Sequence, residues 1–217
     1  MVSAPDGFDL AAAEIRESAS VLRVGGLDLS LTSTGLARID GERLTTWVHK
    51  PSTLRGFERL ESIIETTLSY LADRDVIAVE GLSFGAKGSA MLDLAGLRAV
   101  VTLELHRAGL TVADVPPAVV KKYATGVGGA DKFAVYAQAV KRLGGEFVGD
   151  DAADAAWLAH MAADYYGCPL VTMPAVSRAV LCSLTIRGRR KGLPVVEWPD
   201  LATVAGPPAA AGQERMP

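Results

Sequence analysis

The sequence predicts an α/β domain in which a mixed central sheet, a three-strand meander plus parallel strands, is flanked by helices on both faces. Three observations carry that prediction. Residues 21–49 divide into three short apolar runs, separated by a hydroxyl-rich turn and by Asp40-Gly41, a hairpin signal. Beyond them, segments with apolar residues three or four apart alternate with two short continuous apolar runs. Continuous runs of that length suit parallel strands buried on both faces, and a meander followed by alternating elements gives a mixed sheet.

The elements follow in order. Residues 21–29, 34–39 and 44–49 read as the meander strands. Residues 53–72 place Leu54, Phe57, Leu60, Ile63, Ile64, Leu68 and Leu71 at helical spacing, an amphipathic helix. Val76–Glu80 is a strand ending in an acid, 81–88 a Gly/Ser/Lys loop, and 89–108 a second helix. Leu110–Val115 is a strand stopped by Pro116-Pro117. A short helix at 118–124, a glycine-rich loop at 125–130, a helix at 131–143 and an acidic helix from about Asp150 to Tyr166 complete the pattern. A further strand is expected at 179–186. A basic run, Arg187-Gly188-Arg189-Arg190-Lys191, follows it, and then a Pro/Ala tail from Gly206 whose composition favours disorder. The expected division is an acidic extension at 1–20, one domain at 21–175 and a C-terminal extension at 176–217.

Composition bounds the function without choosing it. With 217 residues, 49% hydrophobic and 22% charged, the chain can bury a core without covalent staples. The net charge of −3 looks unpromising for a nucleic-acid binder. However, residues 1–20 carry Asp6, Asp9, Glu14 and Glu17 against Arg16 alone, so the remainder is neutral. If some of its acids cluster to bind cations, the rest of the surface is net basic. No apolar run approaches the roughly 20 residues of a membrane span. The N-terminus has no basic stretch followed by an apolar one, so export is not expected. Cys168 and Cys182 lack metal-type spacing and read as small hydrophobes in a reducing compartment, which implies a cytoplasmic protein.

The informative feature is a set of acids at the ends of apolar runs. Asp28 lies within "VGGLDLSLTSTG", and an ionised carboxylate among apolar neighbours is costly unless it is paired or holds a metal. Glu80 ends "VIAVE". Asp151 and Asp154 open the acidic helix three residues apart, on one helical face. Singly, the aspartate pair also reads as capping at the positive helix end, and Glu80 as a surface acid at a strand end. Together, hard oxygen donors converging on one point suit Mg²⁺ or Mn²⁺. Two such ions would serve an in-line phosphodiester displacement. Lys87, Arg98, Lys121, Lys122, Lys132, Lys141 and Arg142 fall on flanking loops and helices, where phosphate contacts would be largely sequence-independent. His160, on nearly the opposite side of the helix from Asp154, is expected to be a surface or core residue.

In this order and spacing the motifs resemble the RuvC family of Holliday-junction resolvases, within the RNase H-like superfamily. The resemblance rests on "VGGLDLSLTSTG", "IAVEGLSF" and "DAADAAWLA", with "AGLRAVVTLEL" and "VKKYATGVGGADKFAVYAQAV" between them, and it covers about Val21 to Tyr166. It implies an RNase H-like nuclease domain whose metal-binding catalytic acids are Asp28, Glu80, Asp151 and Asp154. It implies two Mg²⁺ or Mn²⁺ ions per site, and Lys121 and Lys132 near the scissile phosphate. Phe84 stands where the family has an aromatic that inserts at the junction centre, one position later than in the family. The resemblance further implies a homodimer acting on four-way DNA, with the helix at 89–108 in its interface, and nicks bearing 5′-phosphates. Rival readings are an RNase H-like nuclease acting on other branched DNA or on RNA–DNA hybrids, and an actin-like nucleotide-binding domain.

Overall fold

The computed structural model describes residues 22–82 and 89–188. Its sheet has six strands: β1 (Arg23–Asp28), β2 (Thr34–Asp40), β3 (Arg43–His49), β4 (Val76–Glu80), β5 (Thr111–Val115) and β6 (Thr185–Arg187), in the order β3-β2-β1-β4-β5-β6. The first three pair antiparallel, β1–β4 and β4–β5 pair parallel, and β6 returns antiparallel along β5. The sheet is therefore mixed. The hairpin signal at Asp40-Gly41 is a two-residue turn, with Asp40 opposite Arg43 and Gly41 at φ +61°. A positive φ at the first turn residue matches the twist of a hairpin and suits glycine.

The helices are α1 (Gly56–Leu71), α2 (Ser89–Arg107), α3 (Pro117–Thr125), α4 (Lys132–Leu143), α5 (Gly149–Tyr165) and the single turn α6 (Ala175–Arg178). Side-chain alternation splits the sheet between two cores. Leu27, Leu36, Ile77, Val79 and Val112 face α1 and α2. Val24, Ala37, Val76, Ala78, Ala113 and Val115 face the side of α3, α4 and α5. β4 is buried on both faces up to its terminal acid, as its unbroken apolar run requires.

Two expectations need correction. Residues 179–183 form a 3₁₀ turn, and only Thr185–Arg187 is strand. Consecutive Val180 and Leu181 both pack into the core on the α5 side of the sheet, whereas neighbours in a strand point to opposite faces. Phe57, assigned above to the buried stripe of its helix, is 84% exposed. It lies six residues before Ile63, about 120° around the helix from the buried line Ile63, Thr67, Leu71. Residues 1–20, Phe84, Lys87, Arg189 to Lys191 and the Pro/Ala tail lie outside the described residues.

α5 is the central helix, buried almost all round from Ala152 to Asp164. Its alanines let it approach the sheet closely, and two glycines complete the fit. A Cβ built on Gly26 of β1 would lie 2.0 Å from the Ala155 carbonyl oxygen and 2.5 Å from the Ala159 nitrogen. One built on Gly35 of β2 would lie 2.0 Å from the Asp151 carbonyl oxygen. Helix backbone therefore rests directly on strand backbone at both points.

Polar groups buried beneath α5 are satisfied by one network. Tyr123 donates its hydroxyl to Asp164 Oδ2 at 2.7 Å and lies 2.9 Å from His160 Nδ1. The Val171 amide donates to His160 Nε2, and Arg178 Nε donates to Asp164 Oδ1 at 2.9 Å. Burial pushes His160 down to about 4, so the ring is neutral near pH 7. With Nε2 accepting, Nδ1 carries the proton and donates to Tyr123. His160 is thus a core residue that ties α5 to α3, while Asp164 ties it to α6.

Because Gly26 meets unyielding backbone, Gly26→Val is expected to lower stability by about 3 kcal/mol or more in urea denaturation. Gly129→Ala, with open space around it, should stay within about 0.5 kcal/mol of wild type. Equal effects at the two positions would contradict the close-approach account.

Candidate active site

The architecture brings the predicted acids to one corner. β1 and β4 are adjacent parallel strands in which Leu27 pairs with Val79, so Asp28 and Glu80 leave the sheet side by side at its carboxyl edge. Alternation puts Asp28 on the face of Gly26, and Glu80 on the face of Ala78, which is the face α5 covers. Asp28 also pairs across the sheet with Gly35, the glycine on which the Asp151 backbone rests. The first turns of α5 therefore carry Asp151 and Asp154 over the ends of β1 and β4.

The hydroxyl turn after β1 has a structural role. Ser30 Oγ accepts from the amides of Thr32 and Ser33, and Thr34 Oγ1 donates to the Ser30 carbonyl at 2.8 Å. That leaves the Ser33 hydroxyl to donate to Asp151 Oδ2 at 2.5 Å. The turn thus fixes one of the four carboxylates from the opposite strand connection.

Electrostatics bind the set together. Burial pushes Asp28 well above the ordinary carboxylate range, and repulsion from Glu80, Asp154 and Asp151 adds to it. Burial is also the main cause at Glu80, raised to about 7 with help from Asp154. Asp154 is raised to about 6, again mainly by burial, with Asp150 and Asp151 adding to the rise. Lys132 opposes the rise at all three, and Lys121 at Glu80 and Asp154. Side chains drawn from residues 28 to 154 of the sequence thus share one electrostatic neighbourhood.

The cations are arranged unequally. Lys132, at the start of α4, donates from Nζ to Asp150 Oδ2 at 2.8 Å, and this bond raises the lysine and lowers the aspartate. Lys121 is half-buried on α3, and Lys122 is exposed beside it. Arg98 of α2 turns away from solvent: its Nε donates to the Glu80 carbonyl at 3.1 Å, and its second guanidinium nitrogen is paired with Asp114 of β5. Sequence reasoning did not anticipate Ser33, Asp114 or the Asp150–Lys132 bond. Asp150 stood next to a predicted acid, but nothing local marked it as the partner of a lysine 18 positions earlier.

Comparison with known proteins places the chain in a family. A family model described as crossover junction endodeoxyribonuclease RuvC matches residues 20–161. A crossover junction endodeoxyribonuclease RuvC from Maricaulis maris is 32% identical over 142 residues, which cover 62% of this chain and 86% of that protein. One of the same name from Sphingopyxis alaskensis is 36% identical over 139 residues, covering 60% and 89%. The Thermus thermophilus RuvC structure superposes with a TM-score of 0.58 at 25% identity, covering 68% of this chain and 98% of that one. T. thermophilus RuvC in complex with a Holliday junction substrate gives 0.55, also at 25% identity, covering 64% and 90%. The fold is the RNase H-like mixed sheet of these solved structures, and the family model spans well over half of the chain, including the strands and helices that carry all four acids, so the chain belongs to the RuvC family.

Proposed function

We propose that this chain is a divalent-metal-dependent endodeoxyribonuclease that resolves Holliday junctions by nicking two symmetric strands, leaving 5′-phosphate ends. The observation that carries the reading is the meeting of Asp28, Glu80, Asp151 and Asp154 at one sheet corner, with three of them held at raised proton affinity.

The residues fit a divalent ion on donor chemistry. Four hard oxygen-bearing side chains repel one another at this corner, two of them ending buried strands, and among the described residues the cations that offset them are Lys132 and Lys121. Among the described residues no three such side chains are already drawn in around a single point. Closing on an ion therefore involves side-chain movement. In this reading Asp28, Glu80, Asp151 and Asp154 hold two Mg²⁺ or Mn²⁺ ions. When bound, such ions supply an activated water nucleophile and neutralise charge on the leaving oxygen.

The remaining residues prepare the substrate. Ser33 fixes the orientation of Asp151. Asp150 holds the Lys132 ammonium at the mouth of the site, where it steadies charge on the scissile phosphate. Lys121 and Lys122 extend the positive track along α3, and Lys87 and Phe84, in the sequence between Glu80 and α2, are assigned in this reading to the junction arm and centre. Exposed Leu92, Val100 and Leu103 on α2 favour a homodimer, whose two-fold axis matches that of a four-way junction. We assign the nuclease unit to residues 21–175, with 176–217 as a C-terminal extension whose strand β6 lies at the sheet edge. Among the described residues no helix is long and apolar enough to cross a membrane.

Two predictions follow from the electrostatics and the roles. The raised acids bind protons more tightly folded than unfolded, so stability conferred below pH 4.5 is lost as pH rises through about 6 and 7. The metal-free protein should therefore lose about 1–3 kcal/mol between pH 5 and pH 8, read by thermal melting. Mn²⁺ should restore more at pH 8 than at pH 5, and Asp28→Asn should melt higher than wild type at pH 8 without metal. A flat pH profile would contradict the buried cluster. In cleavage assays on a synthetic four-way junction with Mg²⁺, Asp28→Asn and Asp151→Asn should each lower the rate by more than about 100-fold. Junction binding should persist in both. Forks, flaps and RNA–DNA hybrids assayed in parallel test the specificity, and preferential hydrolysis of hybrids would overturn the junction assignment.

A further inference from the structure

The guanidinium of Arg98 joins three elements behind the acid cluster. Its Nε donates to the backbone carbonyl of Glu80, the last residue of β4. Its second nitrogen pairs with Asp114 Oδ1 on β5, and Asp114 Oδ2 in turn receives Arg187 of β6. Arg98 and Asp114 are mostly buried, with side chains 18% and 16% exposed, whereas Arg187 is 70% exposed. A planar guanidinium serves a carbonyl and a carboxylate from separate nitrogens held in one rigid plane, a geometry that an ammonium, with all its donors on one flexible nitrogen, does not fix.

The location explains why such a clamp is needed. The β4–β5 ladder runs out at the Glu80–Val115 pair, where the Gly81 amide donates to the Val115 carbonyl at 2.7 Å. The Glu80 carbonyl therefore lies at the last rung, where a strand end would otherwise be free to fray. β6 is only three residues long and depends on β5 for its partners. The Arg187–Asp114 pair fastens it beside the clamp, and Gly188 then meets His106 of α2, whose Nδ1 would lie 3.0 Å from an added Cβ.

We propose that Arg98 is a positioning residue that holds the end of β4, and with it the Glu80 carboxylate, in place for the divalent ion, and that Asp114 and Arg187 brace it from β5 and β6. This rests on the reading of Glu80 as a metal ligand. It replaces the phosphate contact expected for Arg98 with an action through Glu80. The brace also gives β6, which follows the last helix, a part in the chemistry. Support of this kind behind a metal ligand is typically felt as lost metal affinity.

The test titrates Mn²⁺ alone into full-length protein and follows the rise in melting temperature, with junction binding and single-turnover cleavage measured alongside. Arg98→Ala should raise the Mn²⁺ concentration for half-maximal stabilisation by about tenfold or more. It should slow cleavage and leave junction affinity in the absence of metal within about twofold. Arg98→Lys, which supplies one donor point, should fall between wild type and Arg98→Ala, and Arg187→Ala should shift the titration in the same direction by less. Should Arg98→Ala fail to fold, Arg98→Lys and Arg187→Ala decide the matter, and wild-type titrations in both overturn the proposal. Weakened junction binding with an unchanged Mn²⁺ titration overturns it as well, because it makes Arg98 a phosphate contact. If the wild type shows no response to Mn²⁺, the metal reading of Glu80 itself fails; if only the variants fail to differ, the positioning role alone is lost.

Discussion

The close seating of α5 on β1 and β2 is the constraint from which the rest of the molecule follows. Helices normally stand off a sheet by the depth of their side chains. Here Gly26 and Gly35 remove the strand side chains, and Ala152, Ala153, Ala155, Ala156 and Ala159 remove those of the helix. The helix start is thereby lowered to the level of the strand ends, within electrostatic reach of Asp28 and Glu80. Larger residues at these positions would lift Asp151 and Asp154 out of the neighbourhood of the other two acids. Packing and chemistry are thus one problem in this fold, solved by backbone-to-backbone contact.

That seating concentrates charge. Buried carboxylates that repel one another are unfavourable unless they are protonated or neutralised, and the raised values at Glu80 and Asp154 express that cost. Around the cluster the protein places fixed supports: the Ser33 hydroxyl on Asp151, Asp150 beneath Lys132, and the Arg98 fork behind Glu80. Each restrains a group without neutralising the cluster as a whole, so the site keeps its appetite for cations while its geometry is held.

The fold was largely legible in the sequence because its signals are local. Val76–Val79 reads as a short apolar strand, Asp40-Gly41 as a tight turn, and the carboxylates at strand ends stood out against apolar neighbours. The misreadings came where local pattern and tertiary context part. Residues 179–186 are apolar enough for a strand, yet 179–183 form a 3₁₀ turn that brings the neighbours Val180 and Leu181 into one and the same core. Phe57 fits helical spacing but precedes the part of α1 that meets the sheet. The acids of the site were visible, but their holders were not: Ser33, Asp114 and the Asp150–Lys132 bond depend on register and crossing, which spacing does not encode. Arg98 shows the limit most clearly, since a basic residue near an acid site reads as a phosphate ligand until its partners are seen.

Whether the Asp28, Glu80, Asp151 and Asp154 side chains share cations decides what this corner of the sheet does. Anomalous scattering from crystals grown with Mn²⁺ addresses this directly. Peaks between Asp28, Glu80 and the aspartates of α5, reached by small rotations of those side chains, are the expected result. Manganese bound elsewhere, with the corner empty and its carboxylates unmoved, would contradict it.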